Sequence, residues 1–190
     1  YFFSRVIQPS PGAFLRGDNL ILSMGDGGEE LICERREIKI LGEHNIENIL
    51  AAALASRLAG APLQRISEVI REFTGVEHRL ELVGEQDGIR YYNDSISTTP
   101  DRAIAGLRAI SGPVILIAGG YDKRLSFEEF VTVAAQRCRM LILLGQTAEE
   151  IRRSLFSAVA PEKRPMVHMV SDLQEAVKVA AKAAQPGETV

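Results

Sequence analysis

At 190 residues, with 46% hydrophobic and 25% charged side chains, the chain has the composition of an ordinary globular protein, long enough for one large domain or a domain plus part of another. A formal net charge of −3 gives no electrostatic basis for holding nucleic acid or an anionic membrane, and with no Trp a base-stacking platform is not expected. Cys33 and Cys138 lie in apolar surroundings and read as buried reduced thiols, not as a disulfide framework. No stretch approaches a membrane span and Tyr1-Phe2-Phe3-Ser4-Arg5 is not a signal peptide, so a cytoplasmic protein is expected.

Residues 1 to about 41 are short β-prone runs between turns, with candidate strands at Phe2–Ile7, Leu20–Met24, Glu30–Cys33 and Glu37–Leu41. Asp26-Gly27-Gly28 reads as a hairpin turn. This is antiparallel material, the trailing edge of a larger domain, with too little core to stand by itself. A helix follows from Asn45 to about Ala59, apolar at Ile46, Ile49, Leu50, Ala53, Leu54 and Leu58, and stops at Gly60. A second helix runs from about Leu63 to Phe73 with Ile66, Val69, Ile70 and Phe73 inward. A domain boundary falls near Val76-Glu77, dividing the chain into residues 1–76 and 77–190.

From Arg79 the pattern changes. Leu80–Val83 and Ile89–Tyr92 read as strands joined through Asp87-Gly88, followed by a helix over Pro100–Ile110. Strict alternation then sets in: strand Pro113–Ala118 and helix Phe127–Arg137, strand Met140–Leu144 and helix Ala148–Phe156, strand Met166–Val170 and helix Asp172–Ala184. The last three helices each open on a capping-box pattern, Ser126…Glu129, Thr147…Glu150 and Ser171…Gln174. Continuous apolar strands suit a parallel sheet buried on both faces, so residues 77–190 are expected to form an α/β, Rossmann-like doubly wound domain with a mostly parallel sheet. The final Gly187-Glu188-Thr189-Val190 reads as the start of another strand, and with no initiating Met a piece of a longer chain is expected.

The chain is organised around Tyr91 to Pro100: a strand end, a polar turn, then a helix started by Pro100, with Thr98 or Thr99 as cap and Asp101 in the first turn. Asn93, Asp94, Ser95 and Ser97 are more polar groups than a turn needs, at the carboxyl end of a strand where open α/β sheets bind ligands. Upstream, Asn45 and Asn48 are three apart on a helix and point two carboxamides the same way, which suits the donor–acceptor edge of a purine; capping by Asn45 is the alternative. Arg79 can fork onto a phosphate or ribose oxygen, or be a surface arginine in a hinge. Lys123, after Gly119-Gly120-Tyr121-Asp122 at the exit of a central strand, can meet an anion, or be a solvated turn lysine. His168 lies in an apolar strand and reads as a core or strand-end residue. No His/Cys/Asp/Glu group has metal-ligand spacing, no Ser-His-Asp constellation suggests itself, and a GxxxxGK[ST] phosphate loop is missing.

Taken together, Gly42-Glu43-His44-Asn45-Ile46-Glu47-Asn48, Glu77-His78-Arg79, the stretch NDSISTTP from Asn93 to Pro100 and the Gly119–Lys123 turn resemble the Mur ligase family, specifically its D-glutamate-adding branch. These are ATP-dependent amide ligases that build the peptidoglycan stem peptide. The resemblance rests on four motifs in the right order over Gly42 to Lys123.

It implies that Asn48 contacts the adenine of ATP, with Asn45 beside it and His44 structural. It implies that Arg79 is the nucleotide-contacting arginine of the linker, and that Asp94 accepts hydrogen bonds from ribose hydroxyls; an Asx interaction within the turn is the alternative for Asp94. Lys123 with Thr98 and Ser95 would bind the D-glutamate carboxylates. ATP and Mg²⁺ are the implied cofactors, with the Mg²⁺ ligands outside this chain, and UDP-N-acetylmuramoyl-L-alanine is the other substrate of a monomeric enzyme. Residues 1–76 would be the end of the central ATP-binding domain and 77–190 the acceptor-binding domain short of its last motif. One departure stands out: Ile96 follows the Asp-Ser pair where many relatives carry Lys. Without the phosphate loop, no turnover by these residues alone is expected. The rivals are a sibling ligase for another amine, whose turn would read more like DYAHxP or DGAHNP, and a non-catalytic Rossmann-like binding module.

Overall fold

A computed structural model describes residues 1–25 and 27–190; Asp26 of the expected Asp26-Gly27-Gly28 turn lies outside the described residues. Two units divide the chain, Tyr1–Gly75 and Val76–Val190.

In the first unit, β1 (Phe2–Ser4), β2 (Gly12–Arg16), β3 (Asn19–Ser23) and β4 (Glu29–Glu34) form one sheet in that order. The β2–β3 and β3–β4 pairs are antiparallel, as expected, but β1 runs parallel to β2. β1 ends three residues early because the Ser4 hydroxyl accepts from the amides of Val6 and Ile7 at 3.1 and 3.0 Å, turning the chain. Strand β2 has no counterpart in the sequence reading. Conversely, the expected strand at Glu37–Leu41 does not form. A 3-10 turn, Arg35–Glu37, leaves the sheet there, and Ile38 and Ile40 pack onto the core without joining a ladder.

Helices α1 (Glu43–Leu58) and α2 (Leu63–Glu72) follow. Ile46, Ile49, Leu50, Ala53 and Leu54 of α1 meet Ala13, Leu20, Leu22, Ile32 and Cys33 of the sheet in one buried cluster. Only a narrow stripe of α2 joins it. Ile66 and Ser67 are buried, whereas Val69 (63%) and Phe73 (43%), expected inward, are exposed, as is Leu58 (46%) of α1.

The second unit opens with the hairpin β5 (Glu81–Gln86) and β6 (Ile89–Asn93), turned at Asp87-Gly88 with both residues at positive φ. Then come α3 (Pro100–Ala109), β7 (Val114–Gly120), α4 (Glu128–Arg137), β8 (Cys138–Gly145), α5 (Ala148–Ala158), β9 (Met166–Met169) and α6 (Leu173–Ala183). β7, β8 and β9 are parallel. The final residues complete the layer: Thr189 bridges in parallel to Arg90 of β6 and to Val114 of β7. The Arg90 and Tyr92 amides donate to the Glu188 and Val190 carbonyls on one side, while the Ile115 amide donates to the Thr189 carbonyl on the other. The ladder therefore runs from β5 through β6, residues 188–190, β7 and β8 to β9, an α/β fold in which only the β5–β6 pairing is antiparallel.

Ile115, Met140 and Ile142 pack with Ala176 and Ala180 of α6 on one face. Alternation along β8 sends Leu141 and Leu143, both 0% exposed, to the other face. Both cysteines are buried and free. Burial pushes the Cys33 thiol up to about 11 and the Cys138 thiol up to about 12.

The expected starts of the last three helices are corrected, and so is a core position for His168. None of the capping boxes forms where its pattern stands. Ser126 instead accepts from the Glu128 amide at 3.4 Å, and Thr147 turns its hydroxyl to the Gly120 carbonyl at 3.5 Å. At α6 the cap sits one residue on and is not a reciprocal box: Asp172 accepts from the Glu175 amide at 2.9 Å, while Glu175 accepts from the Ser171 amide, one residue before the cap, at 2.9 Å. His168 is exposed, because β9 is a short edge strand with Met166 and Met169 also about half exposed.

Candidate functional site

β6 and β7 flank residues 188–190 in parallel, so the loops leaving them, residues 94–99 and 121–127, emerge at the same edge of the sheet. With one strand between them they are roughly 10 Å apart at their roots, two interstrand spacings. This is the carboxyl edge, where open α/β sheets present ligand sites.

The loop after β6 is tied to the start of the unit. The Arg79 amide bonds the Val76 carbonyl at 3.2 Å to close a turn, and His78 and Leu80 on either side of Arg79 hold φ of 65° and 45°. Asp94 spans the gap: Oδ1 accepts from the Leu80 amide at 3.0 Å and Oδ2 from the Ser97 hydroxyl at 2.6 Å. The Ile96 amide bonds the His78 carbonyl at 3.2 Å, Asn93 bonds the His78 ring at 2.8 Å, and the Glu81 carboxylate accepts from the His78 amide at 2.8 Å. The Asx turn weighed for Asp94 is made by its neighbour, Asn93 Oδ1 accepting from the Ser95 amide at 3.1 Å. Ile96 thus works through its backbone, with its side chain 46% exposed.

Sequence reasoning missed Gly106 in α3. A Cβ there would lie 2.9 Å from Asp94 Oδ2 and 3.5 Å from Leu80 Cδ2. The signal was available, since a glycine inside a helix is destabilising by about 1 kcal/mol relative to Ala and calls for a packing reason. Glu81, too, carried no motif.

Thr99 caps α3 from extended φ/ψ without a side-chain bond, and Pro100 takes the first helical position. Thr98, Ser95 and the Arg79 guanidinium are exposed; among the described residues no side-chain hydrogen bond or ion pair engages any of them.

On the β7 side, Gly119 lets the strand close onto β8: at φ 141° a Cβ would stand 1.8 Å from the Leu144 carbonyl oxygen. The Thr147 amide bonds the Gly120 carbonyl at 3.2 Å, and Asp122 accepts from the Arg124 amide at 2.6 Å, shaping the turn that carries Lys123. Lys123 is exposed and has no partner among the described residues. No bond joins it to Thr98 or Ser95; the fold places them on neighbouring loops and no closer.

In the first unit, Asn45 and Asn48 do share a face. Asn48 Nδ2 donates to Asn45 Oδ1 at 3.1 Å, and Asn45 Nδ2 donates to the Leu41 carbonyl at 2.6 Å. Asn45 does not cap the helix, since the cap is Gly42. Asn45 is therefore spent on structure, while exposed Asn48 keeps its carbonyl oxygen and an amide hydrogen available, the donor–acceptor pair a purine edge requires.

Among the described residues no group of three or more His, Cys, Asp or Glu side chains could hold a metal ion. No helix among them is long and apolar enough to cross a membrane.

An α/β domain with this ligand-edge geometry meets its family by sequence. The description "Mur ligase, glutamate ligase domain" matches residues 78–190, more than half of the chain, and the chain belongs to that family. Over 99% of its length it is 43% identical to the UDP-N-acetylmuramoylalanine–D-glutamate ligase of Symbiobacterium thermophilum, and it is 40% identical to the enzyme of that name from Caldanaerobacter subterraneus. The chain spans about two-fifths of these relatives, 41% and 40% of their lengths. Among solved structures, the UDP-N-acetylmuramate-alanine ligase MurC of Thermotoga maritima superposes with a TM-score of 0.66 over 90% of this chain and 38% of its own, at 18% identity. MurF of Acinetobacter baumannii gives 0.66 over 98% of this chain and 42% of its own, at 15% identity. At such identities these two speak for the fold alone.

Proposed function

We propose that this chain is the carboxyl-terminal part of an ATP-dependent amide ligase that joins D-glutamate to UDP-N-acetylmuramoyl-L-alanine in peptidoglycan synthesis. The observation that carries the reading is the 43% identity, along essentially the whole chain, to a ligase named for D-glutamate. Residues 1–76 are read as the end of the central ATP-binding domain and 77–190 as most of the acceptor-binding domain. The setting would be the cytoplasm, where ATP and the nucleotide sugar are, and the enzyme a monomer.

In this reading the substrate carboxylate attacks the γ-phosphorus of ATP, the bond to ADP breaks, and the acyl phosphate is taken by the D-glutamate amine, forming C–N as phosphate leaves. The phosphate-cradling loop and magnesium ligands belong to other parts of the enzyme, so this chain alone would not turn over. Its own residues bind and orient. Asn48, steadied by Asn45, meets adenine; Arg79 meets a phosphate or ribose oxygen; and the spare lone pairs of Asp94 accept from ribose hydroxyls. Lys123 supplies the cation an acidic amine substrate needs, with the hydroxyls of Thr98 and Ser95 beside it.

The test is acceptor-dependent ADP release by the full-length enzyme containing this chain, given UDP-N-acetylmuramoyl-L-alanine with D-glutamate, L-glutamate, L-lysine or meso-diaminopimelate. Turnover with D-glutamate alone is expected. Turnover with a different amine would move the function to a sibling ligase, and silence with all four from folded protein would overturn ligation.

A further inference from the structure

We propose that Asp94, Leu80 and Gly106 form a latch that fixes the His78-Arg79-Leu80 turn and so sets where the Arg79 guanidinium is presented. The latch itself stands on geometry; that Arg79 presents to a nucleotide rests on the function proposed above.

Arg79 sits between two non-glycine residues in the left-handed region, at φ 65° and 45°. L-residues leave that region unless the surroundings hold them there. Four hydrogen bonds do so: Asp94 to the Leu80 amide, Ile96 to the His78 carbonyl, Asn93 to the His78 ring and Glu81 to the His78 amide. Only the first reaches Leu80, and it depends on where the Asp94 carboxylate stands.

That position is set by the Ser97 hydroxyl, 2.6 Å from Oδ2, and by what Gly106 lacks. Gly106 is buried in α3, where a helix favours Ala. A Cβ there would be 2.9 Å from Asp94 Oδ2, 3.9 Å from its carboxyl carbon and 3.5 Å from Leu80 Cδ2. The empty volume over one helical residue thus seats both partners of the bond. One methyl group would push the carboxylate off by several tenths of an ångström, stretch its bond to Leu80 and free the turn. Asp94 is in this sense a positioning residue for Arg79, whatever else its remaining lone pairs bind.

The test is Gly106→Ala, with two readouts. In the 190-residue chain, amide hydrogen exchange should show Leu80 protected in the wild type and about ten-fold less protected in the variant, with the amides of β7 and β8 unchanged. In the full-length enzyme the KM for ATP should rise about ten-fold, in line with the sensitivity of bound geometry to sub-ångström displacement, while the KM for D-glutamate stays. In an Arg79→Ala background, Gly106→Ala should raise the KM for ATP by clearly less than it does with Arg79 present, the remainder being what the displaced Asp94 carboxylate itself loses. Asp94→Asn keeps an acceptor for Leu80 and should retain its protection; Asp94→Ala should lose it. These two also serve if Gly106→Ala does not fold.

Unchanged Leu80 exchange in both Gly106→Ala and Asp94→Ala would overturn the latch. Lost protection with an unchanged ATP KM, or an equal rise with and without Arg79, would overturn the role given to Arg79. If the wild-type enzyme forms no amide at all, the proposed function fails while the exchange data still decide the latch.

Discussion

Arg139 of β8 forks onto Glu188 through Nε and Nη2, at 2.6 and 2.7 Å, and Nη2 also reaches the Ala183 carbonyl at 2.8 Å. The Glu188 carboxylate, 7% exposed, also accepts from the Gln185 amide at 2.9 Å. This pair clamps residues 188–190 into the gap between β6 and β7, so one ion pair supports the continuity of the sheet under the candidate site.

The Arg139 guanidinium, helped by the Gln185 amide, holds the Glu188 carboxyl below its ordinary value against the opposing effect of burial. A depressed carboxyl contributes stability that is present above its unfolded pKa and lost as the pH falls through the folded value. Arg139→Ala should therefore destabilise the second unit by about 2 kcal/mol at pH 7, seen in urea unfolding. The loss should shrink below about pH 4, where the carboxyl of the unfolded chain protonates before that of the folded one. A loss that persists undiminished in acid would show that packing, not the charge, is what Arg139 provides.

Gly119 and Gly120 differ in a way that substitution separates. Both have φ near 140°, yet a Cβ at Gly119 meets the Leu144 carbonyl at 1.8 Å while one at Gly120 has nothing within 4 Å. Gly120→Ala should cost about 1–2 kcal/mol of backbone strain. Gly119→Ala adds a backbone clash and should lower stability by more than about 3 kcal/mol or abolish soluble expression. Equal effects in thermal unfolding would contradict the close approach of β7 to β8.

The two asparagines of α1 should part company. Asn45→Ala breaks the 2.6 Å bond to Leu41 and should lower stability by about 1 kcal/mol. Asn48→Ala, at an exposed position, should stay within about 0.5 kcal/mol of wild type while raising the ATP KM of the full-length enzyme. The comparison needs a denaturant curve and a substrate titration for each variant; an unchanged KM in Asn48→Ala removes it from the proposed nucleotide contacts.

Thiol chemistry offers a quick check of both cores. With Cys33 raised to about 11 and Cys138 to about 12 by burial, almost no thiolate exists at pH 8. Neither should react with a disulfide reagent in native buffer over minutes, and both should react in strong denaturant. Rapid labelling of one thiol without denaturant would reveal an open core in its unit.

The order of elements in the second unit, most of their limits and the α/β class were written in local pattern: continuous apolar strands, amphipathic helices and Pro100. Motif order along the sequence pointed to the family. Where local pattern misled, a non-local partner decided. Ile38 and Ile40 alternate like a strand but find no neighbouring edge, and Val69 and Phe73 keep helical period on a helix that buries only a narrow stripe. The pattern at Thr147 failed for the same reason, its hydroxyl turning to a carbonyl brought near by the sheet, whereas those at Ser126 and Ser171 gave way to other local bonds. In the second unit the sequence by itself determined which segments become strands and helices, because that depends on residue type and spacing. The tertiary structure decided that residues 188–190 fill the gap between β6 and β7, and that Asp94 holds Leu80 over a bare Gly106. Both are made through backbone amides and an absent side chain, groups that every residue or a glycine supplies alike and that acquire meaning only when the fold brings distant parts of the chain within hydrogen-bonding distance.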